Sequence, residues 1–349
     1  MPIFAEYIWI DGTKPSKQTR SKTRILPYDA VKHSGNPLDP VPLSGFPLWG
    51  SDGSSTGQAC GKDSDIGLSP VCAVMDPLRA GRSFLVLCEV LDPTGACHPT
   101  NTRAELRRVL DAGAVQADAL FGFEQEYTFL GMDHRPLGFP VGGFPAAQGP
   151  YYCAVGSLNI FGRGVYEAFM QAAVLAGLAI AGTNFEVMPG QAEFQIGAVD
   201  ALTACDHMWL ARWLLHRITE DHGVAVTFDA KPAKGDWNGA GMHANISTRA
   251  MRELGGISHI VDACNALAAK RQEHLDVYGH GYEERLTGHH ETCSYREFRY
   301  GIADRTASVR IPRHVAQAGC GYLEDRRPNA NADPYQVASL LLRTICGIP

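Results

Sequence analysis

Short runs of alternating apolar and polar residues dominate the first part of the chain. "AEYIWI" at 5–10 and "TRIL" at 23–26 flank a stretch rich in turn residues, a pattern that predicts a β-hairpin. "SPVCAVMDP" at 69–77 and "SFLVLCEVLDP" at 83–93 predict two more strands, each ending at Asp-Pro. Residues 27–57 are rich in Pro, Gly and Ser and predict a long loop. The pattern therefore predicts a small β-rich domain at the start of the chain.

Further along, the apolar spacing changes, and helical and extended segments mix. Apolar residues three and four apart predict helices at 99–114, 162–178, 201–223, 257–279 and 333–347. Alternating or continuous apolar runs predict strands at 119–130, 179–197 (two strands around a Met-Pro-Gly turn), 224–232, 239–247, 306–314 and 320–328. Because this order does not follow strict βαβ alternation, we predict an α+β fold and not a doubly wound parallel sheet.

Composition narrows the classes of partner. The 349 residues are 45% hydrophobic, enough for a substantial core, and the formal net charge of −6 argues against a nucleic-acid surface. The most apolar stretch, 168–182, is shorter than the ~20 residues that a membrane span needs. The ten cysteines lie far apart and form no CxxC, so we expect reduced thiols in a cytoplasmic protein.

Carboxylates occur inside segments that read as buried strands. In "FGFEQEY" at 121–127, side chains alternate, so Glu124 and Glu126 share one face. The same apolar setting surrounds Glu186, Glu193, Glu324 and one imidazole, His243. Buried carboxylates are rare unless something neutralises them. Glutamate oxygens with at most one imidazole suit Mg²⁺ or Mn²⁺, and so many of them suggest two or more ions, as in phosphoryl-transfer sites.

Arginines supply the complementary charge. Several lie in apolar frames late in the chain, at Arg285, Arg305, Arg310, Arg326 and Arg327. Arginine binds phosphate and carboxylate in a bidentate manner, so metals plus arginines imply a polyanionic substrate, most simply a nucleoside triphosphate. The chain contains neither GxxxxGK[ST] nor GxGxxG, so a different architecture must hold the nucleotide.

Two further segments leave alternatives open. "TGHHETCS" at 287–294 carries adjacent histidines, which suggest zinc, but adjacent side chains on an extended chain point in opposite directions. Its glycine-rich flanks favour a mobile flap that carries Glu291. Asp52 lies in the Gly/Ser-rich segment "SDGSSTGQ", where an ordinary Asx turn is the simplest interpretation.

Taken together, the motifs resemble type II glutamine synthetase, the form found in eukaryotes and some bacteria. The resemblance is collinear over nearly the whole chain and rests on "WGSDGSSTGQA", "FGFEQEY", "QGPYYCAVG", "AGTNFEVMPGQAEFQIG", "TFDAKP", "WNGAGMHANIS", "RLTGHHET", "DRTASVRIPR" and "GYLEDRRPNANADPY". It implies a β-grasp domain at 1–97 and a larger catalytic α+β domain at 98–349, in which a curved antiparallel sheet lines the active site. It also implies a decamer of two pentameric rings, with each active site between neighbouring subunits.

The implied activity is that of an ATP-dependent ligase of nitrogen metabolism, which joins ammonium to L-glutamate to form glutamine. The resemblance implies two metal sites, one with ligands Glu126, Glu186 and Glu193 and the other with Glu124, His243 and Glu324. It implies substrate binding by Asn238, Gly239, Arg285 and Arg326, and ATP binding by Asn245, Ser247, Arg252, Arg310 and Tyr322. It implies catalytic roles for Asp52, which deprotonates ammonium in the neighbouring subunit's site, for Glu291 on the flap, and for Arg305 at the transferring phosphoryl group.

Some segments depart from the family pattern, notably 27–48 and "CGKDSDIG" at 60–67. These departures concern subunit contacts and regulation more than the chemistry. Two alternatives stay open at this point. One is a related γ-glutamyl ligase that uses another amine or acid, and the other is a catalytically silent ring-forming protein.

Overall fold

The N-terminal part of the chain forms a five-stranded sheet. The structure, a computed structural model, describes residues 2–349. The strands are β1 (Ile3–Ile10), β2 (Thr19–Leu26), β3 (Trp49–Asp52), β4 (Asp65–Met75) and β5 (Ser83–Leu91), in the order β2-β1-β5-β4-β3. β1 and β5 run parallel, and the other neighbours are antiparallel. The predicted hairpin is confirmed as β1 and β2.

The predicted loop at 27–57 is wrong in one place, because it contains β3. The strand pairs with β4, with Trp49 opposite Leu68. The Trp49 ring packs edge-on against Tyr7, with 5.3 Å between the ring centres, and the Lys22 ammonium lies 3.8 Å from the centre of the Trp49 ring. Trp49 thus anchors a short edge strand whose other residues are small or polar. The local sequence does not reveal this contact.

The larger part of the chain combines a second sheet with helices. Its helices are α1 (Thr102–Asp111), α2 (Arg163–Leu175), α3 (Ala201–Asp221), α4 (Arg249–Arg252), α5 (Ile257–Ala269), α6 (Arg271–Val277), α7 (Tyr282–Arg285), α8 (Arg313–Ala318) and α9 (Pro334–Cys346). Its strands are β6 (Leu120–Leu130), β7 (Ile180–Phe185), β8 (Gln191–Asp200), β9 (Ala225–Thr227), β10 (Met242–Ser247), β11 (Tyr300–Ile302), β12 (Val309–Ile311) and β13 (Leu323–Asp325).

This second sheet confirms the α+β fold class. The strand order is β11-β12-β13-β10-β6-β8-β7, and β9 pairs with β6. β11 and β12 are parallel, whereas the other pairs are antiparallel. The domain boundary at 97/98 stays a prediction, although the chain passes there from β5 into α1.

One predicted helix is divided in the structure, and one predicted strand is shortened. The predicted helix 257–279 is divided at Lys270 into α5 and α6, which lets α6 bury His274 against α9, where its Nε2 lies 2.9 Å from Thr344 Oγ1. The predicted strand 306–314 is short because Pro312 lacks an amide hydrogen and caps α8 instead.

Strand β6 separates the apolar core from a polar face. Phe121, Phe123, Tyr127 and Phe129 are fully buried in the main core, which α2 and α3 also line. Side chains alternate along the strand, so Glu124 and Glu126 project from the other face. The core therefore fixes the strand, and the strand fixes the position of both carboxylates.

A buried ion cluster joins the N-terminal sheet to the helices. Arg103 of α1 donates to Glu89 of β5 at 2.9 Å and to Asp206 of α3 at 2.8 Å. The Tyr335 hydroxyl of α9 donates to the same Asp206 at 2.5 Å. Within residues 2–349, no helix has the length and apolar character required to cross a bilayer.

Candidate active site

The register of β6 divides its two carboxylates between two neighbouring strands. Glu124 lies directly opposite His243 of β10. Glu126 lies directly opposite Glu193 of β8. Because β10 and β8 flank β6 on opposite sides, the spacing of two residues directs the carboxylates into two different side-chain groups.

The first group consists of Glu124, His243 and Glu324, whose ligand atoms all lie within 4.8 Å of one another. His243 Nδ1 is 3.4 Å from a Glu124 oxygen and 3.5 Å from a Glu324 oxygen. Arg310 and Arg326 each donate to Glu324, at 2.7 and 2.6 Å. His243 Nε2 lies 3.2 Å from the Arg285 guanidinium, and Nδ1 is directed at the two carboxylates.

The second group consists of Glu126, Glu186 and Glu193, again with ligand atoms within 4.8 Å of one another. All three residues are buried. Burial first, and then the neighbouring carboxylates, raises the pKa of Glu186 to about 8 and that of Glu193 to about 9. Burial also raises the pKa of Glu126, against the opposing effect of Arg285. Three acids so close together are stable as anions only when positive charge offsets them.

Both groups fit divalent cations. Their donors are carboxylate oxygens with a single imidazole, which is the set that Mg²⁺ and Mn²⁺ prefer, whereas zinc prefers cysteine and histidine. Neighbouring amides orient the carboxylates of the second group: Asn184 donates to Glu186 at 2.8 Å and Gln195 to Glu193 at 2.7 Å. In the first group, Asn245 donates to Glu124 at 2.8 Å.

Arg285 is held rigidly beside these groups. Its guanidinium donates to the carbonyls of Arg326, Arg327 and Pro328 at 3.1 to 3.3 Å. A Cβ at Gly241 would overlap this guanidinium, so the close approach requires glycine there. Burial lowers the pKa of Arg285 to about 10, and the side chain is still a cation at neutral pH.

A cavity of about 290 Å³ opens over the second group and part of the first. A second cavity of about 420 Å³ adjoins it, sharing Glu124 and Gln195. The predicted residues that line the first cavity are Glu124, Glu126, Glu186, Glu193, Asn238, Gly239, His243, Arg285, Glu291, Arg305 and Arg326. Those that line the second are Glu124, Asn245, Ser247, Arg252 and Tyr322.

Three predicted residues lie outside these linings. Glu324 and Arg310 contact each other beside the first group. Asp52 lies in the N-terminal sheet at the end of β3 and does not line either cavity. Its Oδ1 accepts hydrogen bonds from the amide and hydroxyl of Ser54 at 2.8 and 2.7 Å, which is an Asx turn, and these bonds lower its pKa.

The flap segment bends sharply over the first cavity. His290 and Glu291 have φ angles of 53° and 56°, a left-handed conformation that is uncommon for residues other than glycine. His290 lies 2.9 Å from Asp236 and 3.1 Å from Gln148, and Arg326 donates to the Glu291 carbonyl at 3.4 Å. In the described residues, neither His289 nor His290 belongs to a group with metal-ligand geometry, and the flap stays a prediction.

Sequence reasoning missed several residues of the first cavity. Asn184 and Gln195 lie two positions from Glu186 and Glu193, so strand alternation could have indicated that they share a face with them. Gln148 accepts from the Asn238 amide at 2.8 Å. It comes from an irregular segment and carried no periodic signal.

Comparison with known proteins gives a consistent result. A family model described as "Glutamine synthetase, catalytic domain" matches residues 99–348. The chain is 53% identical to a glutamine synthetase of Streptomyces viridochromogenes over 348 residues, covering 99% of this chain and 97% of that protein. It is 48% identical to one of Emericella nidulans, covering 99% and 93%. It is 51% identical to a chloroplastic one of Chlamydomonas reinhardtii, covering 98% and 90%.

Proposed function

The chain belongs to the glutamine synthetase family, and on this premise we propose that it joins ammonia to the γ-carboxylate of L-glutamate at the expense of ATP. A carboxylate oxygen is a poor leaving group, so ammonia cannot displace it directly. Transfer of the γ-phosphoryl group of ATP to glutamate gives γ-glutamyl phosphate. Ammonia then attacks its carbonyl carbon, phosphate leaves, and the products are L-glutamine, ADP and phosphate.

One observation carries this proposal: two adjoining groups of buried acidic ligands, bordered by arginines, lie where two cavities meet. We assign Mg²⁺ or Mn²⁺ to both groups. When bound there, the ions supply positive charge that offsets the oxygens of the phosphoryl group. Arg305 lines the first cavity, where a guanidinium can contact the same oxygens as charge shifts during transfer.

The two cavities suit the two larger substrates. In the first, Arg285, Asn238 and Gly239 are proposed to bind glutamate, with the buried guanidinium offered to its α-carboxylate. In the second, Asn245, Ser247, Arg252 and Tyr322 are proposed to bind the nucleoside of ATP. Arg310 and Arg326 are proposed to contact phosphate oxygens near Glu324. Glu291 on the flap closes the first cavity and limits attack by water on the acyl phosphate.

Ammonium requires a base near the acyl phosphate, and we propose Asp52 of a neighbouring subunit. The support is that Asp52 carries an exposed carboxylate on the N-terminal sheet, away from the cavities of its own chain. A ring assembly, proposed here as a decamer of two pentamers, would bring this carboxylate to the adjacent catalytic sheet. A cytoplasmic location is supported by the cysteines, since all ten are free.

The test measures release of ADP and phosphate by purified protein supplied with ATP, glutamate, ammonium and Mg²⁺ or Mn²⁺. We expect turnover that needs all four, with glutamine identified by mass. Omission of each component in turn is the control. Turnover with another acid or amine, but not with glutamate and ammonium, would instead indicate a related γ-glutamyl ligase. Absence of turnover with any pair would reject the proposal.

A further inference from the structure

A cavity of about 320 Å³ is lined by Arg212, which contacts Gln125, and the Gln125 side chain projects from the face of β6 opposite to that of Glu124 and Glu126. Its walls are the β1–β2 loop at 13–19, one face of α3, and the segment 226–229 at the end of β9. Trp209, Arg212 and His216 share the α3 face at spacings of three and four residues. None of these residues takes part in the proposed reaction, so the cavity is a separate feature of the molecule.

Arg212 is a buried cation with no acidic partner among the described residues. Its side chain lines this cavity, and the residue is 4% exposed. Nε and Nη2 donate to Gln125 Oε1, at 2.9 and 2.5 Å, and Nη2 also donates to the Ala330 carbonyl at 2.8 Å. Nη2 also lies 3.2 Å from Met242 Sδ, and no hydrogen bond within the described chain comes from Nη1. No carboxylate lies within ion-pair distance of this guanidinium, and Asp333 acts on its charge only from farther away.

The neighbouring aromatic side chains position the guanidinium and bring no negative charge to it. The Arg212 guanidinium lies 4.9 Å from the Trp209 ring and 5.2 Å from the Phe228 ring, which fix its position. Trp209 Nε1 is a buried donor without a partner in the described chain. Burial and Arg212 lower the pKa of His216 to about 4, so this imidazole is neutral at pH 7. Burial lowers the pKa of Arg212 to about 10, and Arg212 is therefore charged.

The remaining charged side chains of the lining favour an anion of low charge. Lys14 is exposed and forms no ion pair in the described chain. The Lys17 ammonium is already bound to Asp333 at 2.9 Å and to Thr100 and Thr102. Asp229 is the one carboxylate of the lining, and it is exposed. A single guanidinium without an ion pair, placed between aromatic rings, suits one negative charge on a partly apolar molecule better than a multiply charged phosphate.

We propose that this cavity binds a small organic carboxylate, whose oxygen accepts a hydrogen bond from Arg212 Nη1. The same guanidinium holds Gln125, the residue between Glu124 and Glu126, so the site lies one side chain away from the strand that carries both acidic groups. Binding at this site does not depend on the proposed reaction.

The first test compares propionate with propionamide, which has the same shape and no charge. Each is titrated into the full-length protein at constant ionic strength without ATP, glutamate or ammonium, and tryptophan fluorescence and the melting temperature are followed. We expect a saturable response to propionate and a response at least about tenfold weaker to propionamide, because the amide oxygen can accept the same hydrogen bond but lacks the negative charge that pairs with the guanidinium. Equal responses to the two compounds, or no saturable response, would overturn the proposal.

The second test locates the binding. An Arg285→Gln variant should keep the propionate response; its loss there would place propionate in the proposed glutamate cavity and reject this site. Arg212→Gln should weaken binding about tenfold, whereas Arg217→Gln on the exposed side of α3 should not. If Arg212→Gln does not fold, Lys14→Gln and Trp209→Phe decide. Lys14→Gln should weaken propionate binding, and Trp209→Phe should remove the fluorescence response. Unchanged responses in both variants would reject the proposal.

Discussion

Glu124 and Glu126 are alike in chemistry, yet their neighbours give them different electrostatic environments. Glu124 belongs to a group in which Arg310 and Arg326 already contact a partner carboxylate. Glu126 belongs to a group of three carboxylates, and one of them, Glu193, lies directly opposite it on β8. The second group therefore has more to gain from a bound cation, and more to lose when one ligand is removed.

We predict that Glu126→Ala abolishes activity while leaving assembly intact. The residue contributes to the acidic group and not to the aromatic side of β6, so its loss removes metal binding without opening the core. Since the metal is expected to supply several kcal/mol of charge stabilisation, turnover should fall at least about a hundredfold. Steady-state ADP release and gel filtration check this. Glu167→Gln, on the surface of α2, is the control, and collapse of the oligomer in the Glu126 variant would contradict the prediction.

Metal affinity is predicted to rise with pH. The pKa values of Glu186 and Glu193 are raised to about 8 and about 9, so both carboxyls hold protons at neutral pH without metal. A cation must displace these protons, and its apparent affinity increases until the pH passes these values. Calorimetric titration of Mn²⁺ between about pH 6 and pH 9, in buffers of different ionisation enthalpy, should also detect proton release. An affinity that is constant over this range would contradict the prediction.

The same shifts set the sign of the stability change without metal. The folded-state pKa values lie above the ordinary value of 4.5, so the native state binds more protons than the unfolded state. This contribution to stability is fully present below about pH 4.5 and is lost as the pH rises through about 8 to 9. Added metal should therefore raise the melting temperature most at the alkaline end.

At the scale of elements, α1 connects the two sheets through Arg103. Its guanidinium pairs with two buried carboxylates, Glu89 and Asp206, and Glu89 has a second partner in the more exposed Arg107 at 2.9 Å. Arg103→Met would leave the buried Asp206 without a cation and Glu89 with Arg107 alone, and we predict a loss of about 3–5 kcal/mol in the free energy of unfolding. Urea unfolding followed by circular dichroism measures it. Arg217→Met, which removes an exposed pair on α3, should cost less than about 1 kcal/mol, and equal losses in the two variants would argue against the junction.

The sequence predicts elements best where periodicity is long and strong. β6, α3 and α9 extend over ten or more residues with a clear apolar face, and the prediction located all of them. β3 and the break at Lys270 depend on contacts with distant residues, such as Tyr7 and Thr344, which no local pattern contains. The site follows the same rule. Strand alternation indicates its carboxylates, but Gln148 reaches it from an irregular segment.

At the scale of the whole molecule, one sheet organises three environments. The aromatic side of β6 forms the core, and its acidic side faces the two cavities. Gln125 connects the strand to Arg212 of α3 on the side opposite to the carboxylates. The N-terminal sheet is fixed to this body by the cluster around Arg103 and by the ion pair of Lys17 with Asp333. A rigid body that carries Asp52 at one edge and the cavities elsewhere is suited to sharing sites between copies.

The position of Asp52 has a genetic consequence, because each active site would be built from two copies of the gene product. Two inactive variants, Asp52→Ala and Glu126→Ala, should complement each other in mixed rings. If equal amounts of the two variants assemble at random, about a quarter of the sites would combine an intact Glu126 with an intact Asp52 from the neighbouring subunit. Co-expression with two affinity tags and activity of the doubly purified rings measures this. As a control, rings that mix Glu126→Ala with Arg305→Ala should stay inactive, because both substitutions lie in the catalytic domain. If both mixtures are inactive, Asp52 does not act across subunits.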